Sequence, residues 1–315
     1  MSGGSTIPFR EYLEAKYRID GESLHRPTWN LFRTILNRHD RGLIIDMGTG
    51  TGGMIRRLLT VLPPGRFKLM GIDSDPGLLT EARKLTAETL RELGFSLLDK
   101  GDTLQGTRSS GGIQLTVEVL YHHASVLDQT LIDSLIPGQP LAVTAHALLD
   151  CLPPNQALRC LRRLLPPKSF LYTSINYNGR TEFLPRYNSC RVEESILEAY
   201  DRSMDERKIG GLAIAGSECG GTLYGALLEH GFEPISVGAS DWSLGPVDGR
   251  YAPDVLTVIK MLLETIYGEV QDRQENGFGE VDPEELDRWY SSRLKLIGEG
   301  RLAAIVHQTD ILARS

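Results

Sequence analysis

Cysteine is scarce in this chain of 315 residues: there are four, Cys151, Cys160, Cys190 and Cys219, widely spaced and without a CxxC pair. That spacing speaks against a zinc knuckle, a redox dithiol or a disulfide framework, and it suits a reducing cytoplasm. Long apolar runs are missing too. No stretch approaches the roughly 20 residues that cross a bilayer, and MSGGSTIPFREYLEAKYRID at the start has no apolar export core. A cytoplasmic protein without a membrane partner is expected. Positive charge is in deficit, with 34 Lys and Arg against 41 Asp and Glu and a formal net charge of -7. Such a surface repels a phosphate backbone, so nucleic acid is not an expected partner. Internal repeats and low-complexity domains are absent as well, which leaves one α/β domain with insertions as the simplest organisation for this length.

What is present is an alternation of helical and strand patterns. Residues 9 to 38 place Phe9, Tyr12, Leu13, Leu24, Trp29, Leu31, Phe32 and Ile35 at near-helical spacing, with an interruption expected around Asp20-Gly21. RGLIIDMGTGTGG (41 to 53) then passes from a short apolar run into a glycine cluster, the pattern of a buried parallel strand turning into a helix. Further strands are expected at 67 to 73, 114 to 124, 140 to 149, 169 to 176, 232 to 239 and 301 to 313. Helices are expected at 53 to 62, 76 to 93, 156 to 165 and 220 to 230, with helical insertions at 191 to 208, 254 to 270 and 283 to 298. The polar segment 99 to 112, DKGDTLQGTRSSGG, reads as a mobile surface loop. The fold class implied is α/β: a doubly wound, mostly parallel seven-stranded sheet with helices on both faces and a helical insertion lobe.

Asp46-Met47-Gly48-Thr49-Gly50-Thr51-Gly52 stands where the first strand must turn into a helix. Glycines at alternate positions let the backbone bend sharply and approach a ligand, beside the unpaired N–H groups of a helix start. Gly48, Gly50 and Gly53 also satisfy GxGxxG, so the glycines alone do not separate a dinucleotide from another adenosine cofactor. Asp46 separates them better. A carboxylate there faces a pyrophosphate unfavourably but can accept hydrogen bonds from a cationic amino-acid moiety. Asp73, at the end of the second strand, is placed to hold ribose hydroxyls with either cofactor class.

Asp46 to Gly52, together with GIDSDPGLLTEAR (71 to 83), resembles motifs one and two of the class I S-adenosylmethionine-dependent methyltransferases, in register over residues 40 to 180. The resemblance implies S-adenosyl-L-methionine as cofactor, with S-adenosyl-L-homocysteine as product, held by Asp46, Gly48, Thr49, Gly50, Thr51, Gly52, Asp73 and Ser74. In that family the loop after strand three contacts adenine, here Ser125 and Val126, and the residue after strand four, here His146, faces the methyl-bearing sulfur. Where the family often carries an acid, this chain has Ser125, so a hydroxyl would make the contact. The parts expected are an N-terminal helical cap (1 to 39), a Rossmann-like core that binds the cofactor (40 to 180) and a remainder (181 to 315) that builds a substrate lobe, all within one integrated domain.

For the acceptor, the candidates are His146 with Asp150 one helical turn later, and Asn176 and Tyr177 at the end of strand five. Tyr17 and Arg26 near the N-terminus and Trp242 in the SDW segment are further candidates for substrate contact. His122 and His123 are consecutive strand residues that point to opposite faces, and no metal is expected. A small-molecule acceptor is expected from the acidic balance, from the enclosing insertions, and from TAHALLDC where an NPPY-like tetrapeptide would stand. A monomer or homodimer is the expected state. An NAD(P)-dependent oxidoreductase and a non-catalytic binder of S-adenosylmethionine remain as alternatives.

Overall fold

The segment Arg41–Met47 is buried on both faces toward its carboxyl end, with Ile44 packed into one layer and Ile45 into the other. It forms β1, the middle of the sheet. A computed structural model describes residues 8–279 and 281–315, so positions 1–7 of the expected cap lie outside the described residues. Ahead of β1 lie α1 (Phe9–Ser23) and α2 (Arg26–Leu36). After it come α3 (Gly53–Leu59), β2 (Gly65–Asp73), α4 (Pro76–Glu92), β3 (Ser96–Asp99), β4 (Thr103–Ser110), β5 (Ile113–His123), α5 (Gln129–Leu135), β6 (Ala142–His146), α6 (Pro154–Leu164) and β7 (Phe170–Leu184). The last part holds α7 (Cys190–Asp205), the small pair β8 (Lys208–Ile209) and β9 (Leu212–Ala213), α8 (Cys219–Glu229), β10 (Glu233–Ala239), β11 (Trp242–Leu244), α9 (Pro253–Glu275), α10 (Pro283–Gly298) and β12 (Ala303–Arg314).

The main sheet runs β10-β12-β7-β6-β1-β2-β5-β4-β3, with β11 paired to β12. β2 and β6 flank β1 in parallel, and β5 and β7 continue parallel outward. β12 returns antiparallel between β7 and β10. The seven strands expected from the sequence are β1, β2, β5, β6, β7, β10 and β12, and the fold is doubly wound α/β. Winding proceeds from β1 through β2 to β5 on one side and through β6 to β7 on the other. The switch point therefore falls between β1 and β6, and ligands of such sheets bind outside the carboxyl ends of the strands there.

Three expectations are corrected. Residues 99 to 112 are not a loop; β3 and β4 form an antiparallel hairpin that widens the sheet beyond β5. Its alternation is hidden by small and polar residues, yet Leu104 is buried, and a Cβ on Gly106 would meet Leu90, Phe95 and Val117, each at 3.1 Å. The N-terminal helices break at Leu24-His25 rather than at Asp20-Gly21. Helix α1 runs through Gly21 because the missing side chain makes room for Arg57, whose Nη1 would lie 2.2 Å from a Cβ. Strand five, expected to end at 176, extends as β7 to Leu184 because β12 pairs with it as far as that residue.

Apolar layers cover both faces of the sheet. Leu131 and Ile132 of α5, Leu158 and Leu161 of α6 and Leu223 and Leu227 of α8 cover one. The other is shared by α1, α2 and α3 with the insertions α9 and α10, through Ile19, Phe32, Leu58, Leu263, Ile266 and Trp289. Within the insertions, Arg293 of α10 pairs with Glu193 of α7, both buried, and Trp289 Nε1 donates to the same carboxylate at 2.9 Å. Helix α9 packs against α1, which joins the N-terminal helix to the insertions. No helix among the described residues is long and apolar enough to cross a membrane.

Candidate cofactor and acceptor site

The glycine turn leaves β1 at the switch point. Gly48 N and Thr49 N both donate to the Ile72 carbonyl, at 2.9 and 3.0 Å, which ties the turn to β2. Gly48 has φ +68°, and a Cβ there would lie 2.5 Å from Leu148 Cδ1, so both conformation and space demand glycine. Gly50, at φ +52°, is different. Its nearest neighbour for an added Cβ is Leu13 Cδ1 at 4.0 Å, which leaves open space above the backbone. Gly52 is the N-cap of α3, and Thr51 beside it is buried.

Behind this turn Asp46 is buried, 1% exposed, and accepts hydrogen bonds from Thr49 Oγ1 and Thr144 Oγ1, both at 2.7 Å. Burial pushes its carboxyl up to about 6, with the two hydroxyl bonds opposing the rise and the Asp73 charge adding to it. Asp73 accepts from Gly50 N at 2.8 Å through one oxygen and from Asp75 N at 3.0 Å through the other. It remains partly exposed, and capping of α4 falls to Asp75, which accepts from Gly77 N and Leu78 N. Ser74 is exposed, with its carbonyl facing His123 Nε2 at 3.1 Å. Ser125 is exposed and accepts from Leu127 N at 3.2 Å, and Val126 is half-buried.

At the end of β6, both ring nitrogens of His146 are engaged. Nδ1 meets Ser174 Oγ and Nε2 meets Asp20 Oδ2, each at 2.8 Å. Asp20 comes from α1, is 2% exposed, and also accepts from Lys16 Nζ at 2.6 Å and Trp242 Nε1 at 2.9 Å. Burial opposes its charge, but Lys16 and His146 outweigh that and hold the carboxyl well below the usual range. Burial lowers the His146 pKa despite Asp20, so the imidazole is neutral; facing an ionised carboxylate, Nε2 carries the proton and Nδ1 accepts from Ser174. Helix α1 is thereby latched across the crevice. Glu14 holds Arg56 at 2.9 Å, Tyr17 lies against the Arg56 and Arg57 guanidinium groups, and Arg57 donates to the Tyr17 carbonyl at 2.8 Å.

His146 and Asp150 do not lie one helical turn apart as expected. The chain leaves β6 through Ala147 at φ +48° and a single 3-10 turn, Leu149–Cys151. On the next strand, Ile175 sits at φ +57°, a conformation that costs a branched residue about 1 to 3 kcal/mol and that gathers at functional sites. Asp310 holds it there, accepting from Ile175 N and Tyr172 Oη, both at 2.9 Å. Asn176 follows, wholly buried, and Tyr177 donates its hydroxyl to Asp201 at 3.0 Å.

The structure thus groups Asp46, Gly48, Thr49, Gly50, Thr51 and Gly52 at one turn, binds Asp73 at the end of β2 to it through Gly50 N, and links His146 with Trp242 through Asp20. Tyr17 stands beside the turn, its Cδ2 3.3 Å from where a Gly53 Cβ would be. Arg26 is exposed at the start of α2, which seats on β10 and β12 at the far side of β7 from β1. Sequence reasoning missed Asp20 as the latch, along with Lys16, Thr144 and Ser174. The signal for Asp20 is an acid inside a helical apolar pattern, and beside a glycine the same signal reads as a helix break.

No family model matches the chain, and no curated protein matches it in sequence. Among solved structures, it is similar to a candidate methyltransferase from Bacillus halodurans C-125, with a TM-score of 0.47 and 15% identity over 88% of this chain and 93% of that one. A candidate sarcosine dimethylglycine methyltransferase from Galdieria sulphuraria has a TM-score of 0.42 and 14% identity over 94% and 85%. A geranyl diphosphate methyltransferase in complex with S-adenosylmethionine has a TM-score of 0.42 and 12% identity over 90% and 84%.

Proposed function

We propose that the protein is an S-adenosyl-L-methionine-dependent methyltransferase acting on a small-molecule acceptor enclosed by α1 and the late insertions. The observation that carries this reading is the buried Asp46 carboxylate directly behind the glycine turn, with the Asp73 carboxylate beside it. Two acids at one turn oppose a pyrophosphate and favour a cationic amino-acid group attached to a nucleoside. The arginines of α3, which would suit a phosphate, are turned to α1: Arg56 to Glu14 and Arg57 to the Tyr17 carbonyl. The open space over Gly50 is the cradle such a ligand needs, and Asp73 has room to accept from ribose hydroxyls. Ser74, Ser125 and Val126 would border the adenosine.

The bound cofactor supplies a methyl group made electrophilic by its sulfonium. What the chain contributes is placement, which can account for much of the acceleration of a bimolecular transfer. Asp46 places negative charge beneath the turn. Gly48 and Gly50 let the backbone approach, and α1 excludes water with Leu13 and Tyr17. His146, with both nitrogens committed, anchors α1 rather than collecting a proton from the acceptor.

Calorimetry with S-adenosyl-L-homocysteine and NAD in parallel tests the reading. Heat with the first and none with the second is expected, and the reverse would install the oxidoreductase reading. Asp73→Ala should weaken S-adenosyl-L-homocysteine by about 1 to 3 kcal/mol through lost hydrogen bonds. Saturable binding with no methyl transferred to any metabolite fraction would leave a non-catalytic binder.

A further inference from the structure

Two oxygen acceptors, one just past the end of β6 and one on β7, have no donor among the described residues. Asn176 is wholly buried, and its Nδ2 donates to the Thr309 carbonyl at 2.8 Å, but its Oδ1 has no partner. Asp150 Oδ1 is buried and unpartnered in the same way. One segment touches both residues. Gly216 N donates to the Asp150 carbonyl at 3.0 Å, and Gly220 lies so close to Asn176 that a Cβ would stand 2.7 Å from its carbonyl oxygen.

An acceptor left bare inside a protein is destabilising, so two of them flanked by one segment call for a donor that the described residues do not supply. The neighbouring cations are already committed, Lys16 to Asp20 at 2.6 Å and Arg207 to Glu269 at 2.6 Å. Burial above all raises the pKa values of Tyr12 of α1 and Tyr200 of α7, and the Asp150 charge adds to the rise, so both stay neutral phenols. Acceptor oxygens, a buried carboxylate that accepts from Cys151 but has no ion pair among the described residues, and neutral aromatic side chains together suit one ligand chemistry, a group rich in N–H bonds that carries positive charge.

We propose that the methyl acceptor is an amine whose nitrogen is received by Asp150 Oδ1 and Asn176 Oδ1, with Tyr12 and Tyr200 alongside. The assignment rests on the methyl-transfer reading. In the transfer, the bound ammonium first gives one N–H proton to the Asp150 carboxylate, which frees the nitrogen lone pair to form the new N–C bond while the S–C bonding pair stays on sulfur. The methylated nitrogen leaves with the positive charge, and Asp150 returns its proton to solvent.

Propylamine, 1-propanol, 1-propanethiol and propionate, added separately to the full-length protein saturated with S-adenosyl-L-homocysteine, make the test by calorimetry. Heat from propylamine, and less from the other three, is expected. Asp150→Asn should weaken propylamine about tenfold while the S-adenosyl-L-homocysteine affinity holds. Asn176→Ser should act in the same direction if Asp150→Asn does not fold. No heat from propylamine, stronger binding of another probe, or undiminished propylamine binding in the folded variants overturns the amine assignment. A failure of S-adenosyl-L-homocysteine itself to bind is a separate result, and it removes the methyl-transfer reading beneath the assignment.

Discussion

Burying Asp46 makes its charge unfavourable, and the effect has a definite sign. A carboxyl that titrates near 3.8 when unfolded and about 6 when folded binds its proton more tightly in the native state. Stability therefore falls as pH rises from about 4 to 6, by about 3 kcal/mol in all. Asp46→Asn should flatten that decline: urea unfolding at pH 4 and pH 7 should show the difference shrinking by about 2 to 3 kcal/mol. The same variant should bind S-adenosyl-L-homocysteine more weakly at pH 7, since the charge is lost. A stability profile that keeps its slope in the variant would mean that another group carries it. The acid before the glycines was legible in the sequence, and so was Thr49 three residues on. Thr144, its other partner, lies 98 residues away and is brought in only when β6 pairs with β1.

At the scale of elements, α1 is fastened by one buried carboxylate that takes two donors from the sheet, His146 and Trp242, beside Lys16 of the helix itself. Asp20→Ala leaves Lys16, His146 and Trp242 Nε1 without their acceptor, and should destabilise by about 3 to 5 kcal/mol in urea denaturation. Asp20→Asn keeps one acceptor and should cost less. Faster hydrogen exchange over the last three turns of α1, with β1 still protected, would identify α1 as the element released; equal loss of protection in both would contradict the latch. Helical periodicity revealed that α1 exists, but not what it covers. The hairpin of β3 and β4 escaped for a related reason. On β4 the buried positions are filled by Leu104 and Gly106 alone, and a glycine gives no apolar signal even where packing requires it.

For the whole molecule, the shared core sets the behaviour. Ile19 of α1, Leu58 of α3, Leu263 of α9 and Trp289 of α10 belong to one apolar cluster, so cap, sheet and insertions should unfold together. Scanning calorimetry should give one transition, and Asp20→Ala should move it downward without splitting it. Two resolved transitions would show that the lobe is an independent unit.

The alternation of strands and helices, the glycine turn and the two acids beside it can all be read from the linear chain, because they are local patterns of periodicity and backbone freedom. The closing of the crevice by α1, the commitment of His146 to Asp20 and the bare oxygens of Asp150 and Asn176 emerge only once the chain is folded. Those outcomes depend on which side chains meet across long separations in sequence. Pairing of that kind follows from packing and burial in three dimensions.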